Sequence, residues 1–87
     1  MSQPDGPVPG LRPGRKWRPD KEAFGTSYTL SELTRWGEAW VMSLAQSHTN
    51  KSWIAAGVIN YNEWIVDLPE SDDPPFQLAE ALYDAAK

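Results

Sequence analysis

The sequence predicts a mostly α fold: a small three-helix domain behind a disordered Pro/Gly-rich N-terminal arm. Three observations lead there. Residues 53–68 run for sixteen positions without proline. Turned at 100° per residue, they place Ala56, Asn60, Glu63 and Asp67 on one narrow stripe opposite a broad apolar face. Thr29, followed three residues later by Glu32, forms a capping box ahead of an apolar period of three and four. Residues 1–20 carry five prolines and three glycines, too little buriable surface to offset the entropy of ordering them.

Eighty-seven residues make one domain, divided here into a flexible basic arm, 1–21, and a compact acidic Trp-rich body, 22–87. The arm holds five cations against two carboxylates, and the body three against ten. Within the arm, Arg12, Arg15, Lys16 and Arg18 surround Trp17. An exposed tryptophan among cations suits insertion into a partner's pocket or stacking on a base. The opposite reading folds Trp17 back onto the body. Pro4 and Pro7 also fit the minimal polyproline spacing.

After a connector, the first helix is expected over residues 30–46, with Leu30, Leu33, Trp36, Trp40, Val41 and Leu44 on its buried face. Gly37 in that face suggests close approach of another backbone or ring. Met42 falls on the polar side, among Arg35, Glu38 and Gln46, and marks a contact surface. Residues 47–50 form a polar break before the central helix, 53–68. The alternative for that stretch is a β-hairpin, residues 53–59 and 63–68, which would make the chain α+β with a helix–hairpin–helix order. Its β-branched residues favour the hairpin, while Ile65 interrupts the alternation and residues 60–62 lack a glycine turn. Pro69 ends the element, residues 70–73 form an acidic loop, and Pro74-Pro75 lead into a last helix over 75–86. The expected core is Leu33, Trp36, Trp40, Leu44, Trp53, Trp64, Ile65, Leu68 and Leu82.

The chemistry-bearing residues are few. Without cysteine there are no disulfides or thiolate metal sites. His48 is the only histidine and has no orienting partner in sequence, so no catalytic residue is assigned and no enzyme is expected. Glu63 and Asp67, with Asn60, offer too few oxygens for a dedicated cation site. No cofactor and no metal are expected. No apolar run reaches the length of a bilayer span, and the Pro/Gly-rich start lacks a basic-then-apolar signal, so the expected location is cytoplasmic.

Two functions follow from this inventory. The first is a non-catalytic protein-interaction module, an accessory or regulatory subunit docking on a larger protein or complex. Its partner-binding residues would be Arg12, Arg15, Lys16, Trp17, Arg18, Met42, Asp72 and Asp73, and its folded surface should show an exposed aromatic patch. The second is an acidic inhibitor that imitates nucleic acid and blocks a cation-lined groove of a nucleic-acid-binding enzyme. It would use Glu63, Asp67, Glu70, Asp72, Asp73, Glu80 and Asp84. Direct nucleic-acid contact is expected only weakly, through the basic arm, because the body's charge would repel phosphates.

Overall fold

The computed structural model describes residues 7–20 and 26–87. Six strands and one helix follow one another: β1 (Val8–Pro9), β2 (Arg15–Pro19), β3 (Ser27–Thr34), β4 (Gly37–Gln46), β5 (Trp53–Ile59), β6 (Asn62–Leu68) and α1 (Phe76–Ala86). The strands form one antiparallel sheet in chain order, each paired with its neighbours in sequence. The fold is mostly β, which overturns the three-helix expectation and the description of the chain as helical. Of the α+β alternative, the hairpin is present and the first helix is not.

The first helix fails at residues 34–37. Thr34 Oγ1 accepts from the Trp36 amide at 3.1 Å and donates to the Gly37 carbonyl at 2.7 Å. Gly37, at φ 116°, takes a backbone conformation that side-chain-bearing residues avoid. The stretch read as one helix is therefore two strands around a turn. Gly37 serves that turn and has no heavy atom near its missing Cβ; the close approach belongs instead to Gly57, where a Cβ would lie 2.8 Å from the Val41 carbonyl oxygen. The capping-box residues are also reassigned. Thr29 lies in β3 opposite Arg18, and Glu32 Oε2 accepts a hydrogen bond from Arg15 Nε at 3.1 Å.

The central helix fails at residues 60–61. Asn60 and Tyr61 both have positive φ, 52° and 67°, which is the two-residue turn whose twist matches that of paired strands. Ile54, Val58, Ile59, Ile65 and Val66 then sit in β5 and β6, where β-branched side chains pack well. Only the last helix lies where the sequence places it, as α1.

Alternation sends every second side chain to one face of the sheet, and α1 covers that face. Trp17, Tyr28, Leu30, Met42, Leu44 and Trp53 form its buried centre. Phe76 of α1 meets Trp17 at 4.9 Å and Tyr28 edge-on at 5.1 Å, and Tyr83 meets Trp64 edge-on at 5.4 Å. A register shift between Leu30 and Ser31 gives β4 one extra residue, so Met42 opposes Leu30 while Trp40 opposes Ser31. Phase is thereby reset halfway along β4.

Leu44, Trp53 and Leu68 are buried as expected, and Trp64 is half-buried against the core. Leu33, Trp36, Trp40 and Ile65 are exposed instead, because the strand period of two replaces the helical spacing that grouped them; Leu82 is exposed because α1 turns Ala79, Glu80 and Tyr83 toward the sheet. Residues 7–20 carry β1 and β2 within the sheet, and Trp17 is fully buried opposite Leu30. The remainder of the proposed arm and its connector, residues 1–6 and 21–25, lies outside the described residues. Among the described residues no helix is long and apolar enough to cross a membrane.

These placements order the expected effects of truncating tryptophans. Trp17→Ala and Trp53→Ala should each cost about 3–5 kcal/mol, while Trp36→Ala should stay within about 0.5 kcal/mol. Urea unfolding followed by far-UV circular dichroism measures all three. Equal losses for Trp36 and Trp53 would contradict the packing described here.

Candidate functional site

On the helix side, one guanidinium gathers three carboxylates. The Arg15 side chain is fully buried; its Nε bonds Glu32, its Nη1 meets Glu80 at 3.3 Å and Asp84 at 3.0 Å, and its Nη2 meets Asp84 at 2.9 Å. Glu80 also accepts from the Leu11 amide and from Trp17 Nε1, each at 2.9 Å. Arg12 and Lys87 reach Asp84 from outside, at 3.3 and 3.7 Å. The hydrogen bonds that Arg15 donates to Asp84 outweigh burial and hold Arg15 protonated more firmly than a free guanidinium. The same bond holds the Asp84 carboxyl below the ordinary carboxylate range. Among the described residues every buried side-chain polar atom has a partner. The cluster is thus paired from within, with Arg15 making four hydrogen bonds to its own carboxylates.

The other face of the sheet is open. Its β2 end carries Lys16 and Arg18, and Arg18 reaches over Ser31 to Glu38 on β4 at 2.8 Å. Its middle is apolar, with Trp40 on β4 and Ile54 and Val58 on β5 exposed. Its β6 end carries exposed Glu63, Ile65 and Asp67 in succession. Lys16, Glu63 and Asp67 have no ion-pair partner among the described residues. The face runs from basic through apolar to acidic.

Both long hairpins turn at the same end of the sheet, because β3–β4 and β5–β6 are adjacent and antiparallel. Trp36 at one tip is 87% exposed, with the Arg35 guanidinium 5.1 Å from its ring centre, and Tyr61 at the other is fully exposed. With exposed Leu33 and Trp40 these rings give that end of the sheet an aromatic-rich rim, and aromatic side chains are enriched at interaction surfaces.

The residues expected to bind a partner do not gather in one place. Arg15, Trp17 and Met42 are buried and take no part in any exposed surface. For Trp17 the reason is its two-residue spacing from Arg15, which puts both on the covered face of β2; for Met42 it is the strand phase that follows the bulge. Arg12 belongs to the rim of the Arg15 cluster. Lys16 and Arg18 lie on the open face. Asp72 is exposed in the loop between β6 and α1 and pairs with Lys51, whose ammonium holds that carboxyl below its usual range; Asp73 is exposed beside it. Trp36, Trp40, Leu33 and Ile65 had been assigned to the core, and the open surface went unrecognised. The available signal was the spacing of Glu63 and Asp67 at i and i+4 in a β-branched stretch, which puts both carboxylates on one strand face with Ile65 between them.

His48 is exposed in the β4–β5 loop, and among the described residues no group of three or more His, Cys, Asp or Glu side chains is placed to hold a metal ion.

The Arg15 cluster makes two measurable predictions. Arg15→Met leaves Glu80 and Asp84 without their shared cation and should cost about 3–5 kcal/mol. Because the folded state holds the Asp84 carboxyl low, its stabilisation is complete above the unfolded-state value and is lost as pH falls through about 4 and below. A pH series of thermal midpoints should therefore show an acid limb that is shallower in Asp84→Asn. An identical acid limb in both proteins would contradict this assignment.

No protein-family model, curated protein or solved structure matches the chain, so its functional reading rests on the open face and its two exposed tips.

Proposed function

We propose that the chain is a non-catalytic, cytoplasmic protein-interaction module, an accessory or regulatory subunit that docks on a larger protein or complex through its open sheet face. The observation that carries this reading is the aromatic-rich rim of Leu33, Trp36, Trp40 and Tyr61, exposed on a sheet whose other face is already covered. Tryptophan and tyrosine are the side chains that most often anchor protein interfaces, since each brings a large apolar surface at low entropic cost. The charge gradient across the face adds orientation, because a partner must present an acidic side to Lys16 and a basic side to Glu63 and Asp67.

The nucleic-acid-mimic reading draws less support. Of its seven carboxylates, Glu80 and Asp84 are spent on Arg15, and Asp72 is paired with Lys51. What remains is Glu63 and Asp67 on the sheet face, with Glu70 and Asp73 in a loop.

Affinity capture from the source cells with the intact chain tests the proposal. Trp36→Ser with Trp40→Ser should weaken a stoichiometric complex by about thirtyfold or more while leaving the unfolding midpoint in place. Asp72→Asn with Asp73→Asn should leave the complex intact. Capture of a nucleic-acid-binding enzyme that ignores the tryptophan changes and fails on the aspartate changes would replace this reading with the mimic.

A further inference from the structure

The two edges of the sheet are unlike. β1 is two residues long and contains Pro9, which is a blunted edge. β6 is seven residues long with no proline, and among the described residues β5 is its only strand partner. The chain leaving β6 does not run back along it. It turns toward β4 and β5, where the Ser71 amide donates to the Lys51 carbonyl and the Ser71 carbonyl accepts from Gln46 Nε2 and Trp53 Nε1.

The turn fixes which backbone groups face outward. A two-residue loop at Asn60-Tyr61 makes Ile59 and Asn62 a hydrogen-bonded pair. Counting by two along the register, Trp64, Val66 and Leu68 also bond inward to β5. The amides and carbonyls of Glu63, Ile65 and Asp67 therefore point to the free edge. The same three side chains lie on the open face, opposite Val58, Ala56 and Ile54. One row of residues thus offers main-chain pairing and a side-chain pattern of acid, apolar, acid.

That pattern selects an occupant. Two copies of β6 paired about a two-fold axis at Ile65 would set Glu63 against Asp67 of the other copy, twice, and like charges directly opposite destabilise a strand pair. Sliding the register by two residues sets Glu63 against Pro69 or Asp67 against Tyr61, where the strand has ended. Self-pairing is disfavoured at neutral pH, and a strand with cations flanking an apolar residue is favoured. We infer that β6 receives, by strand addition, an extended segment of a partner protein reading cation–x–apolar–x–cation, its cations against Glu63 and Asp67 and its apolar side chain against Ile65. This rests on the interaction-module reading and names the partner's chemistry.

The test uses the full chain and the blocked peptide Thr-Lys-Thr-Val-Thr-Lys-Thr. Amide shifts and hydrogen-exchange protection should concentrate at Glu63, Ile65 and Asp67. N-methylation of the peptide's Lys and Val nitrogens should abolish binding, since it removes the donors that meet the edge. Replacing both Lys by Glu should weaken binding about tenfold or more, and Glu63→Lys with Asp67→Lys should reverse that preference. Binding that tolerates N-methylation, or perturbs the Trp36–Trp40 rim instead, would overturn the inference. So would a wild-type dimer at neutral pH whose interface protects the Glu63, Ile65 and Asp67 amides, since a second copy would then hold the edge. Partner capture separates the two readings: a complex lost with the tryptophan pair but kept in the charge-reversed protein sinks strand addition alone. A complex indifferent to the tryptophan pair sinks the aromatic docking surface, whatever the peptide does.

Discussion

A guanidinium buried at 2% exposure is tolerated only if its charge and all its donors are met, because an unpaired ion in a protein interior costs several kcal/mol. Arg15 has its charge met by three carboxylates from two elements: Glu32 on β3 and Glu80 and Asp84 on α1. The helix is therefore fixed in translation as well as in face. Apolar contact between Phe76, Tyr83 and the sheet would allow α1 to slide with little penalty. A bidentate Arg–carboxylate bond of 2.9–3.0 Å does not. Glu80 extends the constraint by holding the Leu11 amide and the Trp17 indole, which ties the β1–β2 turn to the same point. Which face of the sheet is covered, and so which is left open, follows from this cluster.

The polarity of the open face has the same origin. Ten of the chain's charged groups are drawn into contacts around Arg15, or into the pairs Arg18–Glu38 and Lys51–Asp72, on or beyond the sheet. The groups without ion pairs, Lys16 at one side and Glu63 with Asp67 at the other, are what a partner would meet. An apolar middle between opposite charges orients a partner better than a uniformly acidic surface, which is what the net charge of −4 suggests when it is read without positions.

Parts of this architecture were legible in the sequence and parts were not, for identifiable reasons. Proline at 69, 74 and 75 isolates residues 76–86, and α1 is where that punctuation puts it. The β-branched run in residues 53–68 was correct evidence for a hairpin, yet Asn60-Tyr61 is an unusual tight turn because tyrosine rarely takes positive φ. Residues 30–46 misled more deeply. Leu, Glu, Ala and Gln are good helix formers, and the bulge at Val41 shifts the strand phase so that exposed Trp40 and buried Leu44 fall one helical turn apart. Local preference was overruled by pairing with distant strands. The Arg15 cluster was invisible for a related reason: its partners lie 65 and 69 residues away, and a cation in a Pro/Gly-rich segment reads as solvated. The open face inherited both errors, since Trp36 and Trp40 were spent on a helix core.

The sequential order of the strands also shapes how the molecule comes together. Each strand pairs with the one just made, so β1 to β6 can zip as successive hairpins with short loop closures. The exception is α1, which follows all six strands and must reach back across the chain to Arg15 and Trp17. Until α1 docks, Trp17, Leu30, Met42 and Trp53 therefore face water, and the sheet stays adhesive. A nascent chain of this design is most vulnerable to aggregation just before completion of its helix. Arg15, waiting on the sheet among those apolar side chains, is the charge that keeps the uncovered face partly wetted until Glu80 and Asp84 arrive.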